Sequence, residues 1–164
     1  MANLRRGLIT GSFDPCTKGH ENLIKRAVAL FDCVDVVIFQ NPQKKYLFSL
    51  EERLSFLRAV CQKYPTVTVG SSAGMVVDYV KDRGVCAIIK GVRDEKDFLY
   101  EKEMAAYNLE HGGAPTLLLP AEKEIEGVSS TLVREALAKG MLPKELLPRE
   151  ILPLVAKTYN LSPK

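Results

Sequence analysis

The sequence carries no Cys-x-x-Cys pair, and its four cysteines, Cys16, Cys33, Cys61 and Cys86, have only two histidines, His20 and His111, for company. That spacing suggests neither a zinc site nor a disulfide framework, so reduced thiols are expected. No Gly-Lys-Ser/Thr closes a glycine loop at Walker A spacing and no G-x-G-x-x-G occurs, which sets aside two common ways of holding a nucleotide. Long Lys/Arg blocks and basic stripes interleaved with aromatics are absent, and a net charge of +3 with a pI near 8.6 is only mildly basic. A nucleic-acid partner is therefore not expected. The first apolar run, Leu8-Ile9-Thr10, is far too short for a signal peptide, and nothing approaches a membrane span. A cytoplasmic protein without a membrane partner is expected. There is no internal repeat and no low-complexity linker.

What is present is enough apolar material for one core. With 164 residues and 46% hydrophobic composition the chain is read as a single domain over 1–164, with a C-terminal helical segment from about 141 punctuated by Pro143, Pro148 and Pro153. Strands are expected at Leu8–Ile9, 34–40, 67–69, 85–90 and 116–119. Helices are expected from His20, after the capping box Ser49-Leu50-Glu51-Glu52, over 75–83 before Gly84, over 97–111 before Gly112-Gly113, and over 132–139 before Gly140. Pro153 suits the first turn of a last helix. Strands alternating with helices predict an α/β fold, a Rossmann-like domain whose five-stranded parallel sheet has helices on both faces and ligands at the carboxyl ends of its strands. Cys86 and Cys61 read as small core residues, whereas Cys16, in a loop, reads as open to ligand or oxidant.

The most informative stretch is Gly11-Ser12-Phe13-Asp14-Pro15-Cys16-Thr17-Lys18-Gly19-His20, which leaves the first strand and opens an amphipathic helix. His20, Leu23, Ile24, Ala27, Val28 and Phe31 share helical spacing, so the imidazole stands in the first turn at the positive helix end. Unpaired N–H groups there attract phosphate, and Gly19 lets a ligand approach the main chain. Lys44, Lys90 and Arg93 all fall at the ligand edge of the sheet, so several positive groups converge on one crevice, as a polyanion requires. Asp97, Glu101, Met104 and Asn108 share one face of their helix, which allows Glu101 and Asn108 to face one cavity.

G-S-F-D-P-x-T-x-G-H resembles the first signature of the adenylyltransferase members of the nucleotidylyl transferase superfamily, G-[ST]-F-D-x-x-[HT]-x-G-H. Thr17, in place of a first histidine, is similar to the phosphopantetheine adenylyltransferases in particular, and later motifs follow in order from about Arg6 to Leu152. The resemblance implies transfer of the adenylyl group of ATP to 4′-phosphopantetheine, giving 3′-dephospho-coenzyme A and pyrophosphate. It implies His20, Ser12, Lys44 and Arg93 as catalytic residues. For ATP it implies Ser12, Phe13, His20, Gly91-Val92-Arg93, Glu101 and the turn Ser129-Ser130-Thr131. For phosphopantetheine it implies Ser12, Lys44, Met75, Val76, Lys90 and Asn108. Mg²⁺ is expected on the ATP phosphates with no protein metal site, and a homohexamer and feedback binding of coenzyme A are further implications.

Three positions depart from the family pattern. Lys90 stands where arginine is usual, so a point charge replaces a bidentate fork. Ser12 stands for the more usual threonine and keeps the hydroxyl. Glu124-Ile125-Glu126-Gly127-Val128 lacks two aromatics of the bacterial pattern. Two other readings compete: a superfamily member with a nicotinamide mononucleotide or phospho-alcohol acceptor, and a non-catalytic nucleotide-binding module on the same fold.

Overall fold

The computed structural model describes residues 3–162. Five parallel strands, β1 (Arg6–Gly11), β2 (Cys33–Phe39), β3 (Val67–Ser72), β4 (Ala87–Val92) and β5 (Thr116–Pro120), form one sheet in the order β3-β2-β1-β4-β5. Between and after them come α1 (Lys18–Leu30), α2 (Leu50–Cys61), α3 (Val76–Arg83), α4 (Glu95–Glu110), α5 (Ser130–Ala138) and α6 (Leu152–Thr158), with 3₁₀ turns at Lys123–Ile125 and Arg149–Ile151. The α/β reading is thus what the chain adopts. The strand order reverses between β1 and β4, so the crevice at a doubly wound sheet's switch point lies beyond the ends of these two strands.

Alternation along the strands divides the interior in two. Ile9, Val36, Ile38 and Ile89 face a large core with Ile24 and Ala27 of α1, Leu54 and Leu57 of α2, Val133 and Leu137 of α5, and Leu147, Ile151 and Val155 near the C-terminus. Leu8, Val37 and Ile88 point the other way into a smaller core with Val80, Val85 and Ala114. The chain from 141 onward is built into the larger core: Leu146 accepts the N–H of Lys18, and Lys63 bridges Glu21 on α1 and Glu150. Those two carboxylates raise the Lys63 pKa.

Local signals set the element ends. Ser49 and Glu52 form the expected capping box, Asp94 caps α4 through the Asp97 N–H, and Gly84 ends α3 at φ 63°. Two cysteine expectations are reversed. Cys16 is fully buried, because Pro15 and Thr17 turn it into the large core, and burial pushes its thiol well above the ordinary range. Cys86 is exposed, because β4 begins only at Ala87 and the residue before it lies outside the packed sheet. Cys61 is buried as expected, its thiol pushed up to about 11. The fourth strand also runs two residues further than expected, to Val92, so Lys90 lies inside β4 and not at its end.

At the opposite end from the crevice, Asp35 of β2 is fully buried in the smaller core. Arg6 Nη1 donates to it at 2.7 Å, Tyr79 Oη at 2.9 Å and Arg83 Nε at 3.3 Å, which joins β1, β2 and α3 at one carboxylate. Both arginines are partly open to water, with side chains 23% and 45% exposed, so they can resolvate when the carboxylate is lost. Asp35→Ala is expected to cost about 2 kcal/mol, below the range for a fully buried pair. The check is a lowered urea midpoint at unchanged slope, and an unchanged midpoint would show that the cluster holds nothing.

Candidate active site

Where β1 and β4 end, a cleft of about 380 Å³ opens. Of the residues expected at the site, it is lined by His20, Lys90, Gly91, Val92, Arg93, Glu101, Ser129, Ser130 and Thr131, with Thr17 and Gly19 of the signature. A Cβ built on Gly19 would meet only Thr17 Oγ1 at 3.4 Å and the Val128 carbonyl at 3.9 Å, so protein packing does not demand glycine there. Open main chain facing the cleft is what a close-approaching ligand needs.

The loop from Ser12 to Thr17 is fastened from several sides. Asp14, 4% exposed, accepts the N–H groups of Leu47 and Phe48 at 2.8 and 2.9 Å. Arg134 of α5 donates to the Asp14 carbonyl at 2.8 Å, and Ser130 Oγ donates to that of Pro15 at 2.8 Å. Phe13 adopts φ 47°, a left-handed conformation costly for a bulky residue, and its buried ring lies 4.8 Å from that of His20.

His20 is the third residue of α1 and part of its cap. Its N–H donates to Thr17 Oγ1 at 3.4 Å, and the Thr17 N–H donates to Nδ1 at 3.0 Å. A backbone N–H has a proton to give, so Nδ1 is the bare nitrogen and the ring proton sits on Nε2. Burial, then the charges of Lys90 and Arg93, lower its pKa to about 4. The imidazole is therefore neutral at physiological pH and offers one Nε2–H donor.

The cations around it have carboxylate partners on α4. Lys90 Nζ lies 3.8 Å from Glu101 Oε1 and 3.5 Å from the Thr10 carbonyl. Its pKa is lowered by burial, with Glu101 working against the shift and Lys44 adding to it. Arg93 Nε meets Asp97 Oδ2 at 2.9 Å, and Nη1 reaches the Val128 carbonyl at 3.5 Å. Lys44 is exposed and stands outside the lining, yet its charge is felt at Lys90. Ser12 and Phe13 lie in the loop behind His20, while exposed Met75 and half-buried Val76 stand at the start of α3.

Asn108 is buried away from the cleft, its carbonyl accepting the Gly113 N–H at 2.7 Å. Seven residues separate it from Glu101, roughly 10 Å along the helix, so a shared face does not mean a shared cavity. Three polar lining residues escaped the sequence reading: Asn22, Arg26, whose Nη1 donates to the Pro120 carbonyl at 2.8 Å, and Arg134. Arg134 had a signal, since it follows Ser130 by one helical turn. Among the described residues, no group of three His, Cys, Asp or Glu side chains is placed to hold a metal.

A parallel sheet with a cation-lined cleft of small-molecule size at its switch point defines a nucleotidyltransferase-like site, and residues 8–136 match the cytidylyltransferase-like family model. The chain is 42% identical over 137 residues to the phosphopantetheine adenylyltransferase of Streptomyces coelicolor (strain ATCC BAA-471 / A3(2) / M145), covering 84% of this chain and 86% of that protein. It is 43% identical over 138 residues to the phosphopantetheine adenylyltransferase of Pseudarthrobacter chlorophenolicus (strain ATCC 700700 / DSM 12829 / CIP 107037 / JCM 12360 / KCTC 9906 / NCIMB 13794 / A6), covering 84% and 83%. A lipopolysaccharide core biosynthesis protein from Thermoplasma volcanium GSS1 shares the fold, with a TM-score of 0.54 at 21% identity over 74% of this chain and 98% of that one. At this identity and coverage, the chain belongs to the phosphopantetheine adenylyltransferase family.

The lowered pKa of His20 makes stability depend on pH. Between its folded value of about 4 and the unfolded value of 6.5 the unfolded chain binds more protons, so stability rises with pH across that window. Acidification from pH 6.5 to 4 is expected to remove up to about 3 kcal/mol through this residue, less where cleft water softens the shift. Urea titrations of wild type and His20→Asn over that range isolate the contribution from carboxylates. Parallel curves for the two proteins would show that His20 titrates normally.

Proposed function

We propose that the protein transfers the adenylyl group of ATP to 4′-phosphopantetheine, releasing pyrophosphate and forming 3′-dephospho-coenzyme A. One observation carries the reading: His20, its Nδ1 taken up by the Thr17 N–H so that Nε2 holds the ring proton, lines the β1–β4 crevice together with Lys90 and Arg93. The acceptor phosphate has a second pKa of about 6 and is largely a dianion at neutral pH, so its oxygen needs no general base. That oxygen attacks the α-phosphorus of ATP in line; the bond from α-phosphorus to the bridging oxygen breaks, and that oxygen leaves with pyrophosphate. In this reading ATP enters as its Mg²⁺ complex, the metal held by phosphate oxygens.

His20 donates to the oxygens of the transferring phosphoryl group, where charge accumulates. Arg93, the Gly91-Val92 main chain, Ser12, Phe13, Glu101 and Ser129 to Thr131 take ATP. Lys90 and Lys44 take the acceptor phosphate, with Met75, Val76 and Asn108 on the acceptor side. A point charge at Lys90 supports neutralisation of an oxygen more than planar recognition. Pyrophosphate release from ATP or CTP with a panel of phosphorylated acceptors tests the reading, and preference for a nicotinamide mononucleotide or phospho-alcohol acceptor would refute it.

An oligomer of identical chains is part of the same proposal. α4 exposes Phe98, Leu99, Tyr100, Met104, Tyr107 and Leu109, and the core beneath that side of the sheet is thin. A second copy is the occupant the reading supports, a hexamer by family resemblance, with coenzyme A as a feedback ligand. Among the described residues, no helix is long and apolar enough to cross a membrane. A cytoplasmic location belongs to the same proposal, supported by the use of ATP as substrate.

His20→Ala is expected to lower kcat about 10²–10³-fold, the usual cost of losing one donor to a developing charge. It also removes the acceptor for the Thr17 N–H, at about 1 kcal/mol of stability. Turnover and thermal melting separate the two effects, and a folded variant with near-native turnover would sink the role. At Lys90, retained activity of Lys90→Arg beside a large loss in Lys90→Gln is expected from kcat/KM for the acceptor. Equal activity of Lys90→Gln and wild type would remove Lys90 from the phosphate site.

A further inference from the structure

In the reading above, two anions must meet in line, and the groups that would hold them sit on separate loops, Ser12 to His20 after β1 and Lys44 after β2. Arg53, in the first turn of α2, reaches both. It is 3% exposed and forms no ion pair among the described residues. Its Nη1 donates to the Ser12 carbonyl at 2.9 Å, its Nε donates to the Phe48 carbonyl at 3.2 Å, and its plane lies over the Tyr46 ring at 4.0 Å. The Asp14 carboxylate binds the same pair of segments with the opposite polarity, through the N–H groups of Leu47 and Phe48.

A buried guanidinium with no carboxylate within ion-pair distance is a costly way to fill space, and an apolar side chain would pack there at less expense. What an apolar residue cannot do is satisfy two carbonyls on different loops at a fixed separation. We propose that Arg53 is a positioning residue for adenylyl transfer: it locks the loop of residues 44–48 against Ser12, so that acceptor and nucleotide phosphates are held in register. The inference rests on the proposed function. It requires a planar group with diverging donors and a stacking face, which lysine lacks.

The test is kcat and both KM values for Arg53→Lys, assayed well below its melting temperature, with wild type alongside. Each loop keeps its own substrate contacts and only their mutual placement loosens. The expectation is therefore a kcat lowered about 10²-fold, the scale of an ångström-sized misplacement, with both KM values near wild type. An unchanged kcat overturns the proposal even if melting falls, since that pattern is structural support alone. A rise in either KM with kcat unchanged also overturns it.

If Arg53→Lys does not fold, Tyr46→Leu carries the test, because it leaves both Arg53 hydrogen bonds and removes the stacking face, together with a buried hydroxyl that has no partner among the described residues. A smaller fall in kcat with KM values held is expected, and wild-type kcat overturns the proposal. Failure of wild type to release pyrophosphate from ATP and phosphopantetheine would refute the underlying function and this inference with it. An active wild type with an equally active Arg53→Lys refutes this inference alone.

Discussion

The structure depends on how a strand is turned into a helix inside the protein. Between Gly11 and Lys18 the main chain leaves the ladder before it has entered a helix, and its carbonyls and N–H groups are buried where water cannot serve them. Each must find a partner or cost the fold its desolvation energy. The partners come from three helices: Arg53 of α2 for Ser12, Arg134 and Ser130 of α5 for Asp14 and Pro15, and the His20 ring of α1 for Thr17. A loop satisfied in this way is rigid for the same reason that it is stable. The shape of the candidate site is a by-product of main-chain groups being satisfied.

That economy shapes His20. Its Nδ1 is committed to the cap, which fixes the tautomer and aims the remaining N–H at the cleft, while burial beside two cations keeps the ring neutral. A neutral donor is the useful form beside Lys90 and Arg93, because it adds a hydrogen bond without a third positive charge. Those cations are steadied by Glu101 and Asp97, so the amino-terminal half of α4 answers for their geometry. The same helix turns aromatic and aliphatic side chains outward, which links the site to an exposed apolar surface.

Much of the architecture was legible in the chain because it follows from local physics. The Ser49/Glu52 capping box, Gly84 in a left-handed cap and Pro153 in a first helical turn each act within a few residues, and each stands where the sequence placed it. The strands were recognised by their apolar runs, but their ends were not. Hydrogen-bonded pairing with β5 carries β4 through Lys90 and Gly91 to Val92, past the point where hydrophobicity stops. Burial of single residues failed for a related reason. Cys16 and Cys86 exchanged their expected places because loop direction and strand start, not neighbouring residue type, decide which way one side chain turns.

By itself, then, the sequence determined the alternation of elements, the glycine-bounded turn after β1, the placement of a histidine in the first turn of α1 and the family to which the motifs belong. All of these depend on neighbours in the chain or on periodicities of two and 3.6 residues. The tertiary structure alone decided that Arg53 and Arg134 clasp the signature loop and that Asp35 gathers three donors. It also decided that Asn108 falls outside the cleft it shares a helical face with. These are contacts between segments far apart in sequence, and no local pattern encodes the distance at which two packed elements come to rest.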